Sequence, residues 1–446
     1  MSSSNLLSPT QLTDKQHQAV SFITSHDAGV VVAFTGAGKT IISLTAIAEH
    51  GGKWIVAAPP NVITGWPKEA AKWEHTKHLK LSVLNGNPEQ REAKLKEDAD
   101  VLLISLNSLT WLLERDHGAT NIIIDELSKA AGKQTAKLKT KRCDMLTKRI
   151  GLTATPVSES FEKLYPMLRI LDKGAALGTN KQRYLETYFY PTDFKRYNWK
   201  ITPGADKLIM DKVRHLIHDV SINKAETLPP IVFDDVVFTM PKDTRTAYDM
   251  MRKDLVLEGD SGDAGAANMA VLSNKLRQIS CGFVMTEEGE VIEYDTQRAR
   301  TAVSLFVNEC PNGALMLYEF NHQRKQIEEI LDTACVRYMS VYGGSDKEKA
   351  IQAFKAKDID LLLAQINTLS HGTDGLQYCT DTIIFTQPVW SNDANEQAIG
   401  RVWRQGQTKP VTVLTVVCDE TLDDLVLSRL DSKAEHMKVF LQHLRG

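Results

Sequence analysis

No apolar run in this sequence reaches the roughly 18 residues that a bilayer-crossing helix needs, so no membrane span is expected. Cysteine is sparse: Cys143, Cys281, Cys310, Cys335, Cys379 and Cys418 lie far apart and form no C-x-x-C pair. That spacing speaks against zinc ligands or a disulfide framework and points to buried or free thiols in a reducing compartment. The opening Met1-Ser-Ser-Ser-Asn-Leu-Leu7 lacks the charged and apolar regions of a secretory signal. The histidines show no metal-like spacing. Nor does one sign of charge dominate, because 53 lysines and arginines face 56 acids and leave a formal net charge of −3. Such a chain has no overall attraction for nucleic acid, and any binding of that kind must come from local basic patches. Internal repeats and low-complexity tracts are also missing.

What is there is the composition of an ordered globular protein, 42% hydrophobic and 24% charged, in a chain of 446 residues that suggests two to three domains. Two segments alternate short apolar runs with helix-length stretches. The first holds Gly29-Val-Val-Val-Ala-Phe34, Trp54-Ile-Val-Ala-Ala58, Val101-Leu-Leu-Ile-Ser105, Asn121-Ile-Ile-Ile-Asp125 and Arg149-Ile-Gly-Leu-Thr153. The second holds Ala314-Leu-Met-Leu-Tyr318, Asp360-Leu-Leu-Leu-Ala364, Thr382-Ile-Ile-Phe-Thr386 and Val411-Thr-Val-Leu-Thr415. Runs that are apolar on both faces predict buried strands of parallel sheets, hence two α/β lobes. Between them, about residues 173 to 300, the pattern changes. Tyr184 to Lys200 is crowded with aromatics and bases, Asp206 to Val220 has helical spacing, and Leu228-Pro-Pro reads as a linker before an extended strand. Glu258 to Asn268, rich in Gly, Ala, Asp and Ser, reads as a loop.

The chemistry begins at Ala33-Phe-Thr-Gly-Ala-Gly-Lys-Thr40, which follows a predicted strand and precedes the helix-like Ile41 to Ala48. In that context Thr35, Gly36, Ala37 and Gly38 form a phosphate-binding loop, whose backbone N–H groups curl around phosphate oxygens at a helix N-terminus. Lys39 is expected to reach the β- and γ-phosphates of a nucleotide and Thr40 to hold Mg²⁺. Asn121-Ile-Ile-Ile-Asp-Glu126 ends a strand in two carboxylates, placing Asp125 by the metal and Glu126 where it polarises the attacking water. Gln397-Ala-Ile-Gly-Arg-Val-Trp-Arg404 brings Arg401 and Arg404, three apart on a predicted helix, to one face. Two guanidinium groups so placed suit a γ-phosphate gaining charge in the transition state. Gln397 is counted with the nucleotide-binding residues.

These motifs resemble the superfamily-two helicases, and within them the Swi/Snf-type DNA translocases, over nearly the whole chain. Gln16, in Leu12-Thr-Asp-Lys-Gln-His-Gln-Ala19, matches the family's adenine-reading glutamine. Ala57 to Trp73 looks like the element whose loop grips the DNA backbone with Trp66 and Trp73 packed behind. Leu152-Thr-Ala-Thr-Pro156 matches the motif coupling hydrolysis to DNA contact. Leu276-Arg-Gln-Ile-Ser-Cys-Gly282 resembles a helix typical of the branch, and Ser370 to Gln377 with Ile399 to Val411 resemble the last two motifs. Three residues depart from the pattern: Ser128 and Trp403 stand where histidine is usual, and Ala154 where glycine is. They leave the phosphate and metal contacts intact and bear on coupling. The resemblance implies two RecA-like parallel-sheet lobes with helical insertions between them. The first lobe is expected at 1–228 with an insert at about 173–228, the second at 229–446 with an insert at about 240–295.

The implied function is ATP-dependent translocation along double-stranded DNA with Mg²⁺, independent of sequence. Expected DNA contacts are the strand-end loops at Pro60, Asn61, Ser105, Phe320, Asn321, Ser370 and His371, whose small polar groups suit phosphates. The basic run Lys137 to Arg142 with Lys148 and Arg149 reads equally well as a solvated helix face. Tyr184 to Lys200 offers rings for unpaired bases but reads first as the core of a helical insert. The alternatives are a strand-separating DNA or RNA helicase on the same ATPase, or a non-enzymatic DNA-binding scaffold with a vestigial ATP site. The minimal build, with no accessory module in the sequence, suggests a bacterial or phage protein in the bacterial or infected-host cytoplasm. Protein partners are not indicated.

Overall fold

The computed structural model describes residues 6–34, 36–130, 145–154, 156–157, 160–194, 196–220, 228–259, 263–368 and 375–428. The chain forms two compact units, one built on Met1–Lys224 and the other on Ala225–Ser432.

The first unit carries strands β1 (Ala28–Val32), β2 (Trp54–Ala58), β3 (Leu81–Val83), β4 (Val101–Ser105), β5 (Asn121–Ile124), β6 (Lys148–Thr153), β7 (Phe189–Pro191), β8 (Trp199–Ile201) and β9 (Ile217–Asp219). Seven of them form one sheet in the order β3-β4-β2-β5-β6-β1-β9, every pairing parallel. Residues of β2, β5 and β6 are buried throughout, as continuous apolar runs demand when helices cover both faces. Alternation along the strands splits the core in two. Val30, Val32, Ile55 and Ala57 pack on one face, and Val31, Trp54, Val56 and Ile123 on the other.

The second unit repeats the plan with β10 (Ile231–Phe238), β13 (Ala314–Tyr318), β14 (Tyr338–Val341), β15 (Leu361–Gln365), β16 (Thr382–Phe385) and β17 (Val411–Cys418), ordered β10-β17-β16-β13-β15-β14 and all parallel. The hairpin β11 (Phe283–Met285) and β12 (Val291–Glu293) stands outside that sheet. Arg298 is fully buried and ties the unit together. It donates to the carbonyls of Ser280, Thr386 and Val416 at 2.8, 3.2 and 3.0 Å and to Asp423 at 2.5 Å. A buried charge is tolerated only when its donors are answered in this way.

All nine apolar runs read from the sequence are strands, and two parallel-sheet α/β lobes are the fold. In a parallel sheet the strand C-termini share one edge, so the loops after β1, β2, β4, β5 and β6 gather along it. Four expectations need correction. Ile217–Asp219, inside the stretch with helical spacing, is the edge strand beside β1, with Val30 opposite Ile217. Most of the expected loop at Glu258 to Asn268 lies in helices Lys242–Gly259 and Asp263–Ser280; its alanines favour helix over the turn that its glycines suggested. Lys148 and Arg149 are buried in β6, not on a solvated face. The Lys148 Nζ donates to the carbonyls of Ile23, Thr24 and His26 at 3.1, 3.1 and 2.7 Å, closing the end of helix α1 (Asp14–Ser25) where a cation belongs. Burial pushes its pKa down. Lys137 to Arg142 lie outside the described residues. Finally, the aromatic stretch is only half core: Tyr184 and Phe189 are buried, while Tyr190, Phe194 and Tyr197 are exposed on the β7–β8 hairpin.

Candidate nucleotide site

Strand β1 ends at Val32, and the Ala33 N–H extends its ladder to the Thr153 carbonyl at 2.9 Å. The chain then turns through Gly36 and Gly38, both with positive φ (91° and 84°), into helix α2 (Lys39–His50). Glycine is required at 38 for two reasons. The left-handed backbone disfavours a side chain, and a Cβ there would sit 2.5 Å from the Gln16 Nε2. The first-turn amides of α2 face back toward this loop, as at any helix N-terminus. Thr40 lies in that first turn, and Ala37, within the loop, is buried. Thr35 lies outside the described residues.

Gln16 touches the loop directly. Its Nε2 donates to the Ala37 carbonyl at 3.0 Å, while its Oε1 accepts from the Thr13 N–H at 2.8 Å in the capping box of α1. In this state the side chain braces the phosphate loop, and reading adenine would require it to exchange one of those bonds.

From β5 come the two carboxylates. The Asp125 N–H continues the sheet to the Ala57 carbonyl at 2.8 Å, and the next residue, Glu126, has a φ of 51°. A non-glycine residue held in the left-handed region stores backbone strain, a frequent feature of functional sites. The twist brings the Glu126 Oε1 to 3.4 Å from the Lys39 Nζ, both side chains being nearly buried. The Asp125 carboxylate accepts from the Glu126 N–H at 2.9 Å. Burial pushes the Asp125 pKa up to about 6; Lys39 pulls against that shift and Glu126 adds to it. A buried carboxylate with a raised pKa is one that a divalent cation would stabilise. Asp125 with Thr40 therefore fits Mg²⁺, and the loop with Lys39 fits a nucleotide polyphosphate.

In the second unit, Arg401 occupies the last turn of helix Asn392–Val402 and is buried, as is Gln397 on the same helix. Arg404 does not share that helix, which stops at Val402 with Trp403 as its cap; the Trp403 indole donates to the Pro229 carbonyl at 2.8 Å. The two arginines thus owe their placement to a turn and not to helical spacing. Sequence reading missed Lys347, at the start of helix Lys347–Lys355. Burial, and then the charge of Arg401, push its pKa down to about 8, and its Nζ donates to the Thr368 carbonyl at 2.8 Å. Its signal was faint: one lysine after Gly343-Gly344-Ser345-Asp346, with no motif to set it apart.

Among the expected DNA contacts, Pro60 is exposed at the start of helix Pro60–Ile63, which includes Asn61. Ser105 ends β4, opposite Ala58 in the register, and its hydroxyl donates to that of Ser108 at 3.0 Å. These residues share the edge that carries the phosphate loop. Trp66 and Trp73 are buried in the same core as Ile63 of helix Pro60–Ile63, with the Trp73 indole donating to Glu69 at 3.0 Å. Asn321 is exposed at the start of helix Asn321–Thr333, whereas the Phe320 ring packs edge-on to Phe283 at 5.9 Å. Ser370 and His371 lie outside the described residues.

The end of β13 is held by an internal network. Arg277 donates to Glu319 with both terminal nitrogens, at 2.8 Å from Nη1; Gln387 donates to the same carboxylate at 2.7 Å, and Gln365 to the Glu319 carbonyl at 3.0 Å. The Cys281 thiol donates to Gln387 at 2.6 Å, and burial pushes its pKa up to about 12, so it stays protonated. Among the described residues no helix is long and apolar enough to cross a membrane.

The family model for the SNF2-related domain matches residues 15–283, more than half of the chain, and that for the helicase conserved C-terminal domain matches residues 299–406. A phage protein, p41 of Acyrthosiphon pisum secondary endosymbiont phage 1, is 23% identical over 96% of this chain and 98% of its own length. The nuclear protein STH1/NPS1 of Saccharomyces cerevisiae is 23% identical over 93% of this chain, which spans only 33% of that relative. A solved structure, the Sulfolobus solfataricus SWI2/SNF2 ATPase core in complex with dsDNA, is 20% identical, with 98% of this chain and 96% of that one covered, at a TM-score of 0.44. The chain belongs to the SNF2-related family of helicase-like, nucleic-acid-dependent ATPases.

Proposed function

We propose that this protein is an ATP-driven, Mg²⁺-dependent translocase on double-stranded DNA. The observation that carries the ATPase is the meeting of Lys39 and Glu126 at 3.4 Å beside Asp125, on the sheet edge that bears the phosphate loop. Gly36, Ala37 and Gly38 cradle the polyphosphate with their backbone, Thr35 belongs to the same loop, and Gln16 braces it. Lys39 neutralises the β- and γ-phosphates. Thr40 and Asp125 would hold Mg²⁺, which would supply positive charge against that of the phosphates. Glu126 accepts a proton from the attacking water. Arg401 and Arg404, with Gln397 beside them in sequence, act on charge that develops at the γ-phosphate, and Lys347 adds a second cation near Arg401. The ATP-binding lobe is assigned to 1–228 and the helicase lobe to 229–446.

Family membership supports DNA as the track, together with the branch-specific string Arg404 to Val411. The loops at Pro60, Asn61, Ser105, Phe320, Asn321, Ser370 and His371 are assigned to its backbone. The host is assigned as a bacterial or phage-infected cell, on the likeness to the phage protein. ATPase rates measured in parallel with single-stranded DNA, double-stranded DNA and RNA test the reading. Strongest stimulation by duplex DNA is expected; stimulation by RNA alone would overturn it.

A further inference from the structure

The β7–β8 hairpin is built to present aromatic rings to solvent. Its stem pairs Phe189 with Ile201, Tyr190 with Lys200 and Pro191 with Trp199. Phe189 faces inward, against Tyr184, whose hydroxyl donates to the Phe161 carbonyl at 2.9 Å. By the two-residue alternation of strands, Tyr190 and Lys200 project together from the opposite face, and both are exposed. At the tip, Phe194 is 104% and Tyr197 66% exposed. Single exposed hydrophobics need no explanation, but three aromatics within eight residues of one hairpin do.

The tip is also ordered by its own bonds. The Asp193 carboxylate accepts from the Tyr197 N–H at 2.9 Å and from the Asn198 N–H and side-chain amide at 2.8 and 2.7 Å. The Trp199 indole donates to the Arg196 carbonyl at 2.9 Å, and Arg196 itself takes a φ of 58°. The one acid of the turn is therefore consumed in shaping it, which leaves its outer surface to rings and cations. Arg183, Arg196 and Lys200 are exposed around it; Glu186 is the opposing acid, 3.6 Å from Arg196.

We propose that this hairpin is a nucleic-acid contact that stacks unpaired bases on Phe194, Tyr197 and Tyr190 while Arg196, Lys200 and Arg183 engage the adjoining phosphates. Rings and cations interleaved on one surface suit a polyanion whose bases expose their flat faces, as they do in single strands, frayed ends and junctions but not inside a duplex. Charge complementarity selects nucleic acid over an apolar protein partner, for which the surrounding cations have no use. The inference rests on the DNA reading above and adds to it a site for the unpaired part of a DNA.

The test uses the full chain with three fluorescein-labelled DNAs of equal length: a single strand, a blunt duplex and a forked duplex with 2-aminopurine in its unpaired arm. In the Phe194→Ala/Tyr197→Ala variant, affinity for the single strand and the fork should fall about 100-fold, since stacking on each of the two rings is worth about tenfold, and blunt-duplex affinity should hardly change. The 2-aminopurine emission, quenched by the wild type through stacking, should recover. Phe194→Trp should retain both tight binding and quenching. An unchanged unfolding midpoint certifies the fold of each variant. If the wild type binds the DNAs and the double variant binds the fork equally well with the same quenching, the hairpin assignment is overturned, and protein docking would explain the exposed rings instead. If the wild type binds none of the three DNAs, the DNA reading itself falls and the hairpin site with it.

Discussion

The two sheets are built alike and use charge in opposite ways at their strand ends. At the ends of β1 and β5, Lys39 and Glu126 meet at 3.4 Å beside a carboxylate, Asp125, whose burial pushes its pKa up to about 6. At the ends of β13 and β16, Arg277, Glu319, Gln387 and Cys281 answer one another in a chain of bonds. The first arrangement gains from a phosphate and a cation; the second is satisfied without either. The first edge carries groups that a nucleotide and a cation would engage, and the network at the second holds the Phe320–Asn321 loop in place.

The largest effects should come from removing the groups assigned to the γ-phosphate, whichever lobe carries them. Arg401→Ala or Arg404→Ala should lower kcat by about 10³- to 10⁵-fold with ATP affinity much less affected, and lysine should rescue poorly because a point charge cannot replace the planar fork. Steady-state kinetics beside nucleotide titration measures the split; an equal loss of kcat and affinity would make the arginines mere binding groups. Lys39→Ala should nearly abolish hydrolysis in a folded protein. Glu126→Gln should slow turnover by about 10²- to 10⁴-fold while ATP still binds, and loss of binding would assign Glu126 a structural role.

A smaller effect sharpens the contrast through pH. A carboxyl that holds Mg²⁺ must be ionised, so with Asp125 in the role proposed for it apparent Mg²⁺ affinity should be level above pH about 6 and fall about tenfold per unit well below it. The stability sign runs the other way. A carboxyl whose folded pKa is raised contributes stability that is fully present below about pH 4 and is lost as pH rises through about 6. Asp125→Asn should therefore flatten that part of a stability–pH curve and sharply weaken Mg²⁺ binding, and an unaltered Mg²⁺ affinity would remove Asp125 from the metal site. Smallest should be the change on the scaffold side. Glu319→Ala should cost about 2 kcal/mol of stability, as loss of hydrogen bonds to a charged group does, and raise the DNA concentration for half-stimulation more than it lowers kcat. A pure kcat loss would contradict a positioning role.

The sequence made the chemical side legible because its residues sit in fixed relation to strands. Gly36, Gly38 and Lys39 follow an apolar run, Asp125 and Glu126 end another, and the sheet then brings Lys39 and Glu126 together. What escaped depends on long-range contact. Lys148 looks like one member of a basic run, yet its ammonium closes α1 from 122 to 125 residues away. Arg404 is three residues from Arg401, but the helix ends between them, which periodicity alone does not reveal. The edge strands β3, β9 and β14 are three or four residues long, too short for a pattern to emerge. In the hairpin, Phe189 and Phe194 are the same residue type with opposite fates, decided by which side of a two-residue alternation and which end of a turn each occupies.

Displacement of a third strand from a triplex-bearing DNA duplex tests the central claim most directly. With ATP and Mg²⁺ the wild type should displace the third strand and leave the two duplex strands paired, while Lys39→Ala should displace none. Separation of the duplex strands, or displacement by Lys39→Ala at the wild-type rate, would contradict ATP-driven movement along double-stranded DNA.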